Sequence, residues 1–167
     1  MDNEQLAFLR KRRSIRKYKP EQITDEQLQA LLDTAVLAAT AKRQEPWYFL
    51  VIQKPEILER LQDMTGLGRP YFGAPTLIVG FARADAEAPV VDTTLAMSNI
   101  MNAAVAVGLG TCWMNNTYYL FRSHPELSEE FGVPKGYTVV GALIVGVPDQ
   151  EVPVPTDRRK DVIKIIK

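Results

Sequence analysis

Leu95-Ala96-Met97-Ser98-Asn99-Ile100-Met101-Asn102-Ala103-Ala104-Val105-Ala106-Val107, closed by Gly108-Leu109-Gly110, is the most apolar helical stretch of the chain. It reads as the body of a helix over residues 90–107 with apolar residues on nearly every side. Such a helix is buried all round. A chain of 167 residues arranges that most easily when a second subunit covers one face, so the stretch predicts a homodimer. The run is too short for a bilayer, which needs about 20 apolar residues, and Ser98, Asn99 and Asn102 break it. Once the glycines have ended the helix, Thr111-Cys112-Trp113-Met114 reads as a short strand leading to Asn115-Asn116.

Toward the C-terminus, a short helix is expected over 125–131 and the strongest strand over 137–147, stopped by Pro148. Pro153-Val154-Pro155-Thr156-Asp157-Arg158-Arg159-Lys160 reads as an extended basic tail. Toward the N-terminus, residues 75–81 read as a buried central strand, preceded by a loop over 68–73. Pro55 suits the first position of a helix ended by Gly66, with Ile57, Leu58, Leu61 and Met64 facing inward. Trp47-Tyr48-Phe49-Leu50-Val51-Ile52 is aromatic and β-branched and reads as a strand. Before it, Thr24-Asp25-Glu26-Gln27 fits a capping box, and Leu28, Leu31, Leu32, Ala35, Val36 and Ala39 fall on one helical face. A first helix is expected over 4–11, with Leu6, Phe8 and Leu9 inward. A basic extended segment, Arg12 to Tyr18, follows and is closed by Pro20. Helices cluster early and do not alternate strictly with strands, which favours an α+β fold with a mixed β-sheet flanked by helices. No linker or repeat divides residues 1–167, so one domain is expected.

Composition narrows the function classes. A hydrophobic content of 46% with 24% charged residues is ordinary for a globular chain. Twenty basic and twenty acidic residues cancel, so no overall field draws the protein to nucleic acid or membrane lipid. The single cysteine, Cys112, cannot form an internal disulfide and suits a reducing, cytoplasmic setting. The polar start Met1-Asp2-Asn3-Glu4-Gln5 does not read as a signal peptide. One histidine, His124, and one cysteine cannot make an ordinary zinc site. No nucleophile-elbow motif accompanies His124 to support a triad. Gly108-Leu109-Gly110 lacks the third glycine and the βαβ setting of a dinucleotide fingerprint, so it reads as a helix cap.

The cations stand out instead. Arg12, Arg13 and Arg16 surround Ser14 in one short segment, and Arg158-Arg159-Lys160 forms a second group. Guanidinium groups hold phosphate in bidentate fashion and a serine hydroxyl adds a directional donor. Either group alone also fits a solvated surface; the order of the other motifs supplies the third element.

That order resembles the nitroreductase family of FMN enzymes. The carriers are Arg12-Arg13-Ser14-Ile15-Arg16, then 40–47 ending in Pro46-Trp47, then Gly73-Ala74-Pro75 opening a strand. Asn99-Ile100-Met101-Asn102-Ala103-Ala104 through Gly108-Leu109-Gly110-Thr111-Cys112-Trp113 and the proline-rich basic tail complete the set. The resemblance implies that Arg12, Arg13 and Ser14 bind the FMN phosphate and ribityl chain, with Arg158 or Arg159 closing on the phosphate. It puts Arg16 near the flavin N1/O2 edge, where a cation stabilises the charge of reduction. It has residues 39–43, including Ala39, Thr40 and Arg43, reach across from the other subunit. It lines the ring with Trp113, Met114, Asn115 and Asn116, a backbone N–H near Asn116 facing N5. The implied activity is ping-pong hydride transfer from NAD(P)H, through flavin N5, to a nitroaromatic, quinone or similar acceptor, with no protein acid or base and no metal.

Four positions depart from the family pattern. Ala39-Thr40 stands for the usual Pro-Ser, Arg43 for Asn and Glu45 for Gln; an Arg43–Glu45 ion pair across the dimer is one consequence. Arg69 is the candidate for the cation or amide that relatives carry near the flavin O2. Two rival readings share the same residues. One is a non-catalytic flavin- or phosphate-ligand-binding dimer of the same fold, and the other a dimer whose basic segments dock an acidic partner.

Overall fold

A computed structural model describes residues 3–153, 158, 159 and 161–166. Within the tail, residues 154–157 and 160 lie outside the described residues. The elements in chain order are α1 (Glu4–Leu9), α2 (Asp25–Ala35), a 3-10 turn (Ala41–Arg43), β1 (Trp47–Ile52), α3 (Pro55–Met64) and β2 (Thr76–Arg83). They continue with α4 (Pro89–Ala106), β3 (Gly110–Trp113), α5 (Asn115–Ser123), α6 (Pro125–Glu130) and β4 (Tyr137–Gly146). The sheet order is β1-β2-β4-β3, and all three strand pairs are antiparallel. Among the described residues, the parallel contribution is a single bridge between Ser14 and Thr111 beside β3. The sheet is thus mixed only at that edge.

Both faces of the sheet are apolar because helices cover both. Leu77, Val79 and Phe81 of β2 point to one side, with Ala142 and Ile144 of β4, and meet Leu58 and Leu61 of α3, Leu120 and Phe121 of α5 and Leu127 of α6. Ile78, Leu143 and Val145 point to the other and meet Leu31 and Ala35 of α2 and Met97, Ile100 and Ala104 of α4. This is the period-two alternation of a strand with two cores to fill. Gly80 lets α4 approach closely, since a Cβ there would lie 2.6 Å from the Met97 sulfur.

The Thr24–Gln27 capping box forms, and Pro55 opens α3. Other expectations need correction. Leu6 and Phe8 of α1 are only half-buried and Leu9 is exposed, because α1 has no sheet face beneath it. Helix α2 stops at Ala35, leaving Val36 and Ala39 exposed, as the chain turns to bond Asp92 through Thr40. Met64 is exposed at the last turn of α3. Helix α4 buries one face, while Val90, Val91 and Leu95 lie exposed on the single chain. Helix α5 was not foreseen: its start carries no side-chain cap, and only Thr117, Leu120 and Phe121 give it a buried helical face.

Two buried phenols tie loops to this framework. The Tyr18 hydroxyl donates to the Ile15 carbonyl at 2.8 Å, and the Tyr71 oxygen accepts from Thr117 Oγ1 at 3.1 Å. Burial raises both above the ordinary phenol value. A raised folded-state value means their stability is complete below the unfolded value of 10.0 and is lost as pH climbs through the folded one. Urea unfolding should therefore show stability falling between about pH 9 and about pH 11, with a flatter slope in Tyr18→Phe; equal slopes would refute the assignment.

Gly110 offers a steric test. A Cβ there would lie 2.5 Å from Ile15 Cγ1, so Gly110→Ala should destabilise by about 1–3 kcal/mol in urea titration. A change near zero would show that residues 14–16 are not pressed against β3.

Candidate functional site

The Arg12–Arg16 segment is held along the outer edge of β3. Ile15 N donates to Thr111 O at 3.0 Å, Lys19 N to Val147 O and Asp149 N to Lys17 O, both at 2.9 Å. Arg16 N donates to Gln150 Oε1 at 2.9 Å. Lys17 pairs with Asp149 at 2.8 Å, and that hydrogen bond holds the exposed Asp149 carboxyl below its ordinary range. Ile15 and Tyr18 are buried, so the segment is anchored by its apolar members and presents the others. Arg12, Arg13 and Ser14 are half-buried and Arg16 is exposed. Arg13 Nη1 donates to the Arg12 carbonyl at 2.6 Å. Among the described residues, Arg12, Arg13 and Arg16 form no ion pair with a carboxylate. Three guanidiniums on one anchored segment, without a carboxylate partner among the described residues, make a candidate anion site.

The Ser14–Thr111 bridge is parallel and sets Ser14 beside β3, from where the segment runs on along residues 147–150. Trp113 stacks over Gly141 and its Nε1 donates to Asn115 Oδ1 at 2.9 Å. The Met114 side chain is buried in the core, so only its backbone could face a ligand; the expectation that it lines the ring is corrected to that extent. Asn115 is exposed and Asn116 half-buried. Both open α5, where the first backbone N–H groups have no carbonyl partner in their own helix. A planar, electron-accepting ring edge laid there would meet those N–H donors.

The third predicted group sits elsewhere. Thr40 Oγ1 donates to Asp92 Oδ2 at 2.8 Å and Ala41 N donates to the same oxygen at 2.9 Å. Asp92 lies in the first turn of α4, whereas Arg13 lies with Val105 and Leu109 on a cavity of about 550 Å³ at the other end. Thirteen residues of helix separate those ends by about 20 Å. Ala39 and Arg43 are exposed. Arg43 and Glu45 form no ion pair with each other within one chain. Arg158 is exposed and Arg159 pairs with Asp161 at 2.8 Å; neither is brought to Arg12–Ser14 within a single chain.

Sequence reasoning did not single out Asp92 or Gln150. Asp92 carried a signal, a lone carboxyl in an otherwise apolar helix. Residues from the end of α3 and from α5 meet: Met64, Leu67, Asn116, Tyr119 and His124 line one cavity of about 280 Å³. Arg69 instead lines a separate cavity with Gln22, Gln53 and Tyr71. Exposed His124 is engaged by Glu126 at 2.8 Å. Among the described residues no cluster could hold a metal ion, and no helix is long and apolar enough to cross a membrane.

Known proteins share this architecture. The model of the Nitroreductase family matches residues 9–67 and 64–147. A protein of Archaeoglobus fulgidus, provisionally named NADH dehydrogenase/NAD(P)H nitroreductase, is 31% identical over 153 residues, covering 89% of this chain and 87% of its own. A nitroreductase with bound FMN from Desulfitobacterium hafniense superposes with a TM-score of 0.90 at 25% identity, over 100% of both chains. An FMN-dependent nitroreductase from Clostridium difficile gives 0.82 at 29% identity, over 97% of this chain and 99% of its own. A sheet of four antiparallel strands between helices is thus a fold shared with solved nitroreductases, and this chain belongs to the nitroreductase family.

Proposed function

We propose that the chain binds FMN at a homodimer interface and serves as an NAD(P)H-dependent oxidoreductase for small electron-poor acceptors such as nitroaromatics or quinones. The observation that carries this is the pinning of the arginine- and serine-bearing segment to Thr111 at Ser14 and Ile15, on the strand that leads to the start of α5. It offers, in one line, cations for a phosphate and backbone donors for a ring edge. The FMN named for the relatives in Desulfitobacterium and Clostridium has that order of groups, and the residues fit it. Bound FMN would supply hydride exchange between a nicotinamide and an acceptor.

The protein's own contribution is placement. Arg12, Arg13 and Ser14 neutralise and orient the phosphate end, and Arg16 lowers the cost of negative charge at the far edge of the ring. The α5 N–H groups hold the reacting edge of the ring, and the cavity at Asn116, Leu67 and Tyr119 admits one flat molecule at a time, so donor and acceptor take turns. Two features favour a dimer. Val90, Val91 and Leu95 on α4 are exposed apolar residues, and so are Val162, Ile163, Ile165 and Ile166 near the C-terminus. The 39–43 group is also some 20 Å of helix away from Arg13. In this reading a partner subunit delivers Ala39, Thr40 and Arg43 to the flavin, and Arg158 or Arg159 closes on the phosphate. A cytoplasmic setting suits the lone reduced Cys112.

Purified protein should show a flavin spectrum that NADH or NADPH bleaches without oxygen and that a quinone restores. A colourless protein that fails to take up added FMN would sink the proposal, while bound flavin that neither nicotinamide bleaches would favour the non-catalytic dimer. Arg12→Glu should lose FMN by at least about a hundredfold in affinity, since it reverses a charge at the phosphate; retention of full FMN would refute the phosphate assignment. On sedimentation, Leu95→Arg should be monomeric and depleted of FMN, where the unaltered chain is a dimer.

A further inference from the structure

Asp92 is a charged residue only 3% exposed in the helix that is otherwise the most apolar in the chain. Burying a carboxyl is costly unless its oxygens are bonded. Here one oxygen, Oδ2, accepts from both Thr40 Oγ1 and Ala41 N. The Thr40 hydroxyl in turn accepts from Glu45 N at 3.0 Å, so a single carboxyl oxygen pins both ends of the 40–45 loop. Two further ties reach the same loop from just ahead of α4: Glu87 N donates to Gln44 Oε1 at 2.7 Å, and Lys42 pairs with Glu87 at 2.9 Å.

The loop needs such holding. Lys42, Arg43 and Glu45 have φ values of 51°, 55° and 45°, in the left-handed region that non-glycine residues avoid. Three such residues in four positions persist only where surroundings over-determine them. Solvent-exposed Lys42, Arg43 and Glu45 bury nothing in return, so the conformation serves something outside the chain's own core.

We propose that Asp92 is a positioning residue for the flavin of the partner subunit: from the first turn of α4 it locks the strained 40–45 loop in the shape that contacts that flavin. The inference rests on the FMN-dimer reading above. Asp92 itself touches no ligand; it acts through Thr40 and Ala41. The arrangement predicts that damage at Asp92 in one subunit is felt at the site built on Arg12 of the other.

Mixed dimers test this, with bound FMN as the readout. Asp92→Ala should bind FMN about tenfold to a hundredfold more weakly, the usual consequence of losing hydrogen bonds to a charged group. Asp92→Asn keeps an oxygen in place and should restore most of the affinity. Arg12→Glu alone should bind none. When Asp92→Ala and Arg12→Glu chains are unfolded together and refolded in equal amounts, half the dimers are mixed, and each has one site whose Arg12 and whose loop are both intact. FMN content should then rise to about a quarter of the unaltered protein's, as twofold symmetry requires.

If mixing restores nothing, Asp92 acts within its own subunit or only on folding, and the inference is overturned. Full FMN affinity in Asp92→Ala overturns it as well. Should Asp92→Ala not fold, Gln44→Ala removes the neighbouring tie at an accessible side chain and takes its place in the same mixture: a rise in FMN content supports the inference and no rise overturns it. An unaltered chain that takes up no FMN would instead remove the flavin reading, and this inference with it.

Discussion

Helix α4 is the member on which the rest of the molecule depends. It is apolar on more sides than one sheet can cover, and it is drawn down onto β2 because Gly80 has no side chain to hold Met97 away. That contact fixes its axis. Its two ends then fix everything that bears on function. At the first turn, Asp92 gathers the 40–45 loop. At the last, the positive-φ Gly108 turns the chain directly into β3, and β3 carries the arginine segment along its edge. A rigid rod of 18 residues therefore spaces two ligand-facing groups that are far apart in sequence.

The electrostatics of the arginine segment follow from that frame. With twenty carboxylates against twenty basic residues, neutralising every surface cation would be easy. Lys17 and Lys19, just downstream of Ile15, do find Asp149 and Glu21. Among the described residues Arg12, Arg13 and Arg16 find none, although they lie on the same segment. Exposed pairs contribute little to stability, so leaving these three unpaired costs the fold little and keeps a positive potential where an anionic ligand would lie.

Most of the framework was legible in the residues, and the failures have definite causes. Strand β1 and the start of α2 could be read because aromatic and β-branched runs and a capping box are local signals. Helix α5 could not, since its Asn-Asn start has no cap and its buried face amounts to Thr117, Leu120 and Phe121. The end of α2 was misplaced because Val36 and Ala39 continue a helical pattern that the distant Asp92 overrides. Of the site, the arginine segment was visible as charge, and its position beside Thr111 was not. That position depends on the missing Cβ of Gly110, a tertiary fact with no local trace. Met114 shows a related limit: between the end of β3 and the start of α5 its side chain turns into the core, which its place in the motif order does not reveal.

A division of labour follows from where the apolar residues went. Side chains that fill the two cores lie mainly on strands and on α2 to α6, and substitution there changes stability. Met64, Leu67, Phe72 and Tyr119 are large and apolar, yet exposed on the single chain. Met64, Leu67 and Tyr119 line one cavity with Asn116, and Phe72 lies further along the loop after α3. Since the fold gains little from them, their identity is free to vary with the molecule that is to be admitted. The arginine segment, by contrast, is built into the edge of β3 and cannot vary without disturbing Ile15, Tyr18 and the strand they pack on. In the proposed function, acceptor choice and cofactor retention would thus fall to different physical parts of one small chain.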